Sequence, residues 1–326
     1  MKKLQSVEEV SQLIQQGMIL SLAGDERALS QLPKGQWVAG TTPYFMSEQQ
    51  GEFSQEMIYV DVISDSVIGH NIMDYTCDTI SGITSDRFDN GYTILVIPAF
   101  SQLHSDYALH AGDFEGIYDS PVLGWVSGID LNSEDKPKIY NGMTGKSSSD
   151  HGVALHIQLP PGKMAQLEII NIHHQNPDSP VLEFEADSFQ VKNCTVDGVS
   201  HNFAQYLTDN GVDIKSPLIS DYSGAVINVC IKEVNMEAGT VDFYAPVFRG
   251  REYKFAIHLQ NYADEFAGHL PAQSGAATFS CNCILNFLYG ELEGKQAGFP
   301  GPITFGEIGY QLLNQTMTYL NIVDIS

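Results

Sequence analysis

"FGEIGYQLLNQTMTYLNI", residues 305–322, stands at the C-terminal end of the chain and decides how the rest is read. A terminal segment is ordered only when something ties it to a core. In "TMTYLNIVDI" (316–325) the alternation puts Met317, Tyr319 and Asn321 on one face and Thr318, Leu320 and Ile322 on the other. That period of two predicts a strand inside a sheet. The chain therefore ends in its core, and Glu307 and Asn314 lie near it.

Working outward, "MILSLAG", "QWVAGTT", "EMIYVDVI" and "YTILVIPAF" read as strands, with helices expected around 24–32, 72–80 and 101–111. Ser6 followed by Glu9 forms a capping-box pattern, and Val7, Val10, Leu13 and Ile14 have helical spacing, which predicts a helix over 7–16. Beyond residue 120 the texture turns β-rich: "PVLGWVSGID", "HGVALHIQL", "AQLEIINIH", "VLEFEAD" and "SFQVKNCTV" are strands separated by Gly, Pro, Asn and Asp. "DGVSHNFAQYLTDNG" reads as an Asp-Gly turn leading into a helix, and strands are expected at 224–236, 239–247 and 252–259. Clustered rather than alternating elements favour an α+β fold with mixed, largely antiparallel sheets covered by helices. "HHQNPDSP" (173–180) marks the expected boundary between two similar-sized halves, 1–175 and 176–326.

Sixteen Lys and Arg against 40 Asp and Glu give a net charge of -24, spread over both halves. Such a surface repels phosphate backbones and anionic lipid, so no nucleic-acid and no membrane partner is expected. Five cysteines without regular spacing read as reduced thiols. Glu8 and Glu9 interrupt the N-terminal segment before any apolar signal stretch can form, and a cytoplasmic location is expected.

Motifs for catalysis are absent. "GMTGKSSS" ends like a phosphate-binding loop, but Tyr140 stands at the first glycine position and a strand, not a helix, follows. Cys281 and Cys283 flank Asn282 and supply at most half a metal site. "GWVSG" has the wrong spacing for a nucleophile elbow. Of four arginines, Arg249 and Arg251 flank Gly250, where a guanidinium such as that of Arg251 could receive a carboxylate; the alternative is a hairpin turn that partly neutralises an acidic surface.

Several stretches resemble the FIST family of cytoplasmic sensory domains. "ATFSCNCILNF" (277–287) is similar to the family's Ser-Cys strand, "GPITFGEIG" (301–309) to its Phe-Gly-Glu-Ile element and "LNQTMT" (313–318) to its terminal Asn-x-Thr strand. "FQVKNCTVDGVSHNFAQYL" (189–207) resembles the start of the same C-terminal half. In the N-terminal half "QWVAGTTPYF" and "PVLGWVSGID" are similar to the family's strands, but Thr41 replaces a common cysteine and Trp125 a common glycine. The resemblance implies a FIST-N-like domain over 1–175 and a FIST-C-like domain over 176–326. It also implies a stand-alone bacterial sensor for a small, amino-acid-like ligand, acting in trans on a kinase, cyclase or chemotaxis component.

On that reading Gly306 lets the chain approach the ligand, Glu307 pairs with an ammonium group, and Asn314 and Thr316 complete the hydrogen bonding, with Cys281, Asn282, Arg251, Thr41 and Thr42 as further candidates. The alternative keeps these groups structural, with Glu307 capping a helix over 308–313. No resident cofactor or metal is expected. A haem held by one of the ten histidines, responding to nitric oxide, is the second reading, and an enzyme of unrecognised type the third. A homodimer is the default assembly.

Overall fold

The computed structural model describes residues 3–63, 67–222, 225–269 and 277–325 of the 326-residue chain. Strands hold 42% of the chain and helices 16%. The start of the strand expected at 224–236 lies outside the described residues; strands Ala225–Val229 and Ile231–Asn235 occupy the rest.

Three six-stranded sheets surround the main core. The first runs Leu4–Gln5, Ile58–Val62, Leu20–Gly24, Trp37–Thr41, Ile139–Asn141, Lys146–Ser148 and contains one parallel pair, Leu20–Gly24 with Trp37–Thr41. Helix Val7–Gln15 packs Val10, Leu13 and Ile14 with Leu20, Leu22 and Trp37 of this sheet, and its predicted capping box is present, Ser6 to Glu9 and back. The second sheet runs Gln311–Leu313, Glu307–Gly309, Val122–Ser127, Gly91–Pro98, Gly152–Gln158, Gly69–Tyr75. The third contains Lys163–Ile170, Met317–Asp324, Phe279–Cys283, Gly301–Thr304, Tyr44–Met46 and Gly51–Phe53. All three contribute to one cluster that includes Val38, Val96, Trp125, Leu155, Phe279 and Leu320.

The C-terminal strand is more deeply placed than its alternation suggests. Met317, Thr318, Tyr319 and Leu320 are all buried, because Lys163–Ile170 and Phe279–Cys283 flank the strand and both of its faces are covered. Sheet pairing also crosses the expected division at 175/176. Gly301–Thr304 pairs with Tyr44–Met46, and Glu307–Gly309 pairs with Val122–Ser127. Residues 182–255 instead build three small antiparallel sheets around their own aromatic cluster of Phe184, Phe203, Phe243 and Tyr253. The β-edges of the N-terminal region decide this: without residues 301–313, the strands Val122–Ser127 and Tyr44–Met46 would each leave a buried edge unpaired.

Two helical expectations are replaced by strands. Residues 69–75 form an edge strand against Gly152–Gln158 over seven residue pairs, a ladder that outweighs the helical spacing read at 72–80; only the 3-10 turn Ile80–Thr84 follows. Residues 307–313 form a hairpin, Glu307–Gly309 with Gln311–Leu313, in place of the alternative helix over 308–313. Tyr310, at a φ of 63°, makes its one-residue turn. Among the described residues no helix is long and apolar enough to cross a membrane.

Candidate functional site

Most of the residues singled out from sequence meet in a sealed knot, while Thr41, Arg251 and Asn314 lie elsewhere. Glu307 is fully buried, and its Oε2 accepts hydrogen bonds from Thr316 Oγ1 at 2.7 Å and Thr316 N at 3.3 Å. Asn282 Oδ1 accepts from Cys283 N and Asn286 Nδ2, and Asn286 Nδ2 also reaches Thr316 O at 3.1 Å. Thr304 Oγ1 donates to Gly306 O and Asn282 O, and Thr42 Oγ1 to Ile303 O at 2.6 Å. Cys281 Sγ lies 3.1 Å from Thr318 Oγ1 and 3.3 Å from Gly124 O. Thr41 instead faces Lys138, whose backbone N–H donates to its Oγ1 at 2.9 Å.

Burial pushes the Glu307 carboxyl up to about 8, while the Thr316 and Cys283 hydrogen bonds pull the other way. The group is therefore largely protonated at neutral pH, and a neutral carboxyl is a poor partner for an ammonium. Burial, with Glu307 adding to it, also drives the Cys230, Cys281 and Cys283 thiols well above their usual range, so none is an activated thiolate. Gly306 has a φ of 151°, and a Cβ there would lie 3.2 Å from Leu312 Cδ1 and 3.4 Å from Leu313 O. The close approach that requires glycine is to the protein's own hairpin. Its carbonyl accepts from Val126 N at 2.8 Å, which locks the 305–306 turn to the strand Val122–Ser127.

Gly306, Glu307, Thr316, Cys281, Asn282, Thr41 and Thr42 line none of the cavities of 480, 340, 670 and 520 Å³ on the described surface. Arg251 lines a cleft of 670 Å³ together with Arg249, but Asp113 and Asp187 share its walls, and Asp187 accepts the Arg249 backbone N–H at 2.7 Å. Its charges are mixed. Asn314 lines a different cavity, of 340 Å³ and mostly apolar.

That cavity is assembled from three separate segments. Residues 99–105 bring Phe100 and His104 from the start of helix Gln102–His110; the small-sheet region brings Phe189, Lys232 and Tyr244; the C-terminal segment brings Leu285, Phe305 and Asn314. Two of its buried polar side chains have atoms without a hydrogen-bond partner, His104 Nε2 and Asn314 Oδ1. His104 Nδ1 accepts from Phe100 N at 3.4 Å, so the ring proton sits on Nε2. Burial pushes the imidazole down to about 4, keeping it neutral. Asn314 Nδ2 donates to Leu313 O at 3.0 Å, which fixes its Oδ1 as the free acceptor.

The mouth is marked by strain. Phe100 is a non-glycine residue at a φ of 63°, and its ring is 64% exposed. The ring packs edge-on against Phe305 at 6.1 Å, and Lys232 Nζ stands 5.4 Å from its centroid. A left-handed, exposed phenylalanine beside a cavity is unfavourable in the free protein on both counts.

Sequence reasoning missed most of these groups. One signal was present: Leu103, His104, Tyr107 and Ala108 follow the 3–4 spacing of a buried helix face, with a histidine among apolar residues. Of the other buried histidines, His173 likewise leaves Nδ1 without a partner, whereas His156 is fully engaged. His156 has Tyr75 OH at 2.9 Å and Thr93 Oγ1 at 2.8 Å, one on each ring nitrogen. Among the described residues no group of three or more His, Cys, Asp or Glu is placed to hold a metal. The chain belongs to a family of unknown function (DUF6976), whose model matches residues 5–323. No curated protein and no solved structure matches it.

Proposed function

We propose that this protein is a binding protein for a small, predominantly apolar ligand, carried on an α+β scaffold with helices over its sheets. The observation that carries the reading is the 340 Å³ cavity whose walls come from both the main core region and residues 189–244, with two unpartnered buried polar atoms. Its size falls within the roughly 300–1,000 Å³ of small-molecule sites, and apolar walls with a few polar groups are their usual make-up. A ligand there touches both bodies of the fold, so its binding biases their arrangement, as a sensor requires. The FIST resemblance adds that occupancy is passed in trans to a separate signalling protein.

The test uses N-phenyl-1-naphthylamine, a neutral dye whose fluorescence rises in apolar surroundings. Wild-type protein is expected to bind it saturably, while Leu285→Trp and Ala99→Leu, which enlarge wall residues from two different segments, reduce binding at least about tenfold, equivalent to about 1.4 kcal/mol. Equal binding by all three folded proteins would overturn the reading.

A further inference from the structure

Resting on that reading, we infer that the cavity takes a monocarboxylate of the medium-chain fatty-acid class, its tail among the apolar walls and its carboxylate held at the mouth by Lys232. The walls are graded in depth. Ala99, Phe243, Ile284 and Leu285 are almost fully buried, whereas Phe100, Leu131 and Leu288 stand 64%, 48% and 42% exposed around the same cavity. Large apolar side chains gathered in water at one opening mark a surface that something covers, and an alkyl chain running from rim to floor covers them.

The head group is set by Lys232, an exposed residue of the same lining whose Nζ stands 5.4 Å from the centre of the Phe100 ring. Two backbone irregularities bring this pair together. In the ladder between Ile231–Asn235 and Thr240–Val247, Ile231 pairs with Phe243 and Glu233 with Asp242. Lys232 is therefore the extra residue of a β-bulge, a feature that re-aims a side chain. Phe100 supplies the second irregularity through its left-handed backbone. The ring face stabilises the ammonium without using its N–H donors. Among the described residues Lys232 makes no side-chain hydrogen bond and no ion pair, so those donors are free for a carboxylate.

The other charges at the cavity limit the ligand to one acid group. Asp242 also lines it, and its Oδ1 accepts from Gln190 Nε2 at 2.8 Å. A second carboxylate would meet Asp242 with no cation left to pair it. His104 is buried and held down to about 4, so it carries no charge near pH 7. An ammonium head group meets Lys232 at like charge, and an alcohol gains the burial of its tail without the ion pair. The amino-acid-like ligand expected from the resemblance finds no Glu307 for its ammonium here, because Glu307 is absent from these walls.

The test is displacement of N-phenyl-1-naphthylamine from the full chain, at pH 7.5 and low salt, by hexanoate, octanoate, 1-octanol and octylamine, with calorimetry of octanoate alongside. Octanoate is expected to bind about sixteenfold tighter than hexanoate, about fourfold for each methylene added. Lys232→Met, at an exposed position, should weaken octanoate about three- to fivefold and leave 1-octanol unchanged, and the difference should shrink at high salt. Lys232→Glu should weaken octanoate further and strengthen octylamine. Equal octanoate affinity in wild type and Lys232→Met, with dye and octanoate both lost in Leu285→Trp, would overturn the carboxylate while leaving a ligand cavity in place. Tighter binding of octylamine than of octanoate would overturn it in favour of Asp242 as the deciding charge. Dye that binds and is displaced by none of the four would overturn the alkyl occupant alone. Failure of the dye and of octanoate to bind would remove both the inference and the reading beneath it.

Discussion

The knot around Glu307 and the cavity beside Asn314 are adjacent in sequence, yet they differ in almost every physical respect. In the knot, polar groups bond mainly to one another and to backbone: Thr316 to Glu307, Asn286 to Asn282, Thr304 to Gly306 and Thr42 to Ile303. At the cavity wall His104 Nε2 and Asn314 Oδ1 have no hydrogen-bond partner, and the knot holds such atoms too, Glu307 Oε1, Asn282 Nδ2 and Asn286 Oδ1. What separates the two regions is the void and its aromatic walls, which Asn314 lines and Glu307 does not, rather than hydrogen-bond satisfaction. Polar residue types in a conspicuous motif therefore do not by themselves locate ligand binding.

The largest effect is expected on the knot's side of the comparison. Gly124 lies in the strand facing Glu307–Gly309, and a Cβ there would stand 1.8 Å from Leu95 O of the parallel neighbour. Gly124→Ala is expected to cost about 4 kcal/mol or more in urea unfolding, since the obstacle is backbone and cannot rotate away. A loss under about 1 kcal/mol would mean that this sheet pairing is softer than its geometry implies.

Next comes the titration of Glu307. Its carboxyl is held at about 8 in the folded chain against an ordinary 4.5 when unfolded. Between those values the folded state binds more protons, so stability falls as pH rises and the loss is complete above the folded value. Measured from pH 6.5 to 8, the stability of wild type minus that of Glu307→Gln should decline on the order of 2 kcal/mol, the subtraction removing the histidine contribution common to both. Below pH 6.5 the opposite slope is expected. His104, His156 and His173 are held down to about 4, so their contribution is fully present above 6.5 and is lost as pH falls toward 4. A difference curve without decline above 6.5 would show that Glu307 is ionised in the folded chain, and would restore it as a ligand group.

The smallest effect sharpens the cavity's side. Phe100→Gly relieves a left-handed backbone and removes an exposed ring, so stability should rise by no more than about 1 kcal/mol. Affinity for the neutral dye should fall severalfold, because a wall is lost. Unchanged affinity would place Phe100 outside the binding surface.

Much of the secondary structure was written locally. The Ser6–Glu9 capping box and the spacing of Val10, Leu13 and Ile14 specify a helix without help from elsewhere, and the β-branched runs at 58–62 and 91–98 specify strands. The burial of the C-terminal strand was legible from its alternation, and the meeting of Glu307 with Thr316 from the motif that holds both. Residues 69–75 were misread because a short run of mixed polarity fits either period, and the partner Gly152–Gln158 that settles it lies some eighty residues away.

What tertiary structure alone decided is which polar groups remain unsatisfied. The sequence determined that Glu307, Asn314 and Thr316 would be drawn inward together, because they sit in or between strands whose apolar residues must be buried. It could not determine that Glu307 Oε2 would find Thr316 while Glu307 Oε1, Asn314 Oδ1 and His104 Nε2 would find nothing, since that depends on how distant segments close around each atom. Hydrogen-bond satisfaction is a property of positions in space, and spacing along the chain carries no record of the atoms that fail to arrive.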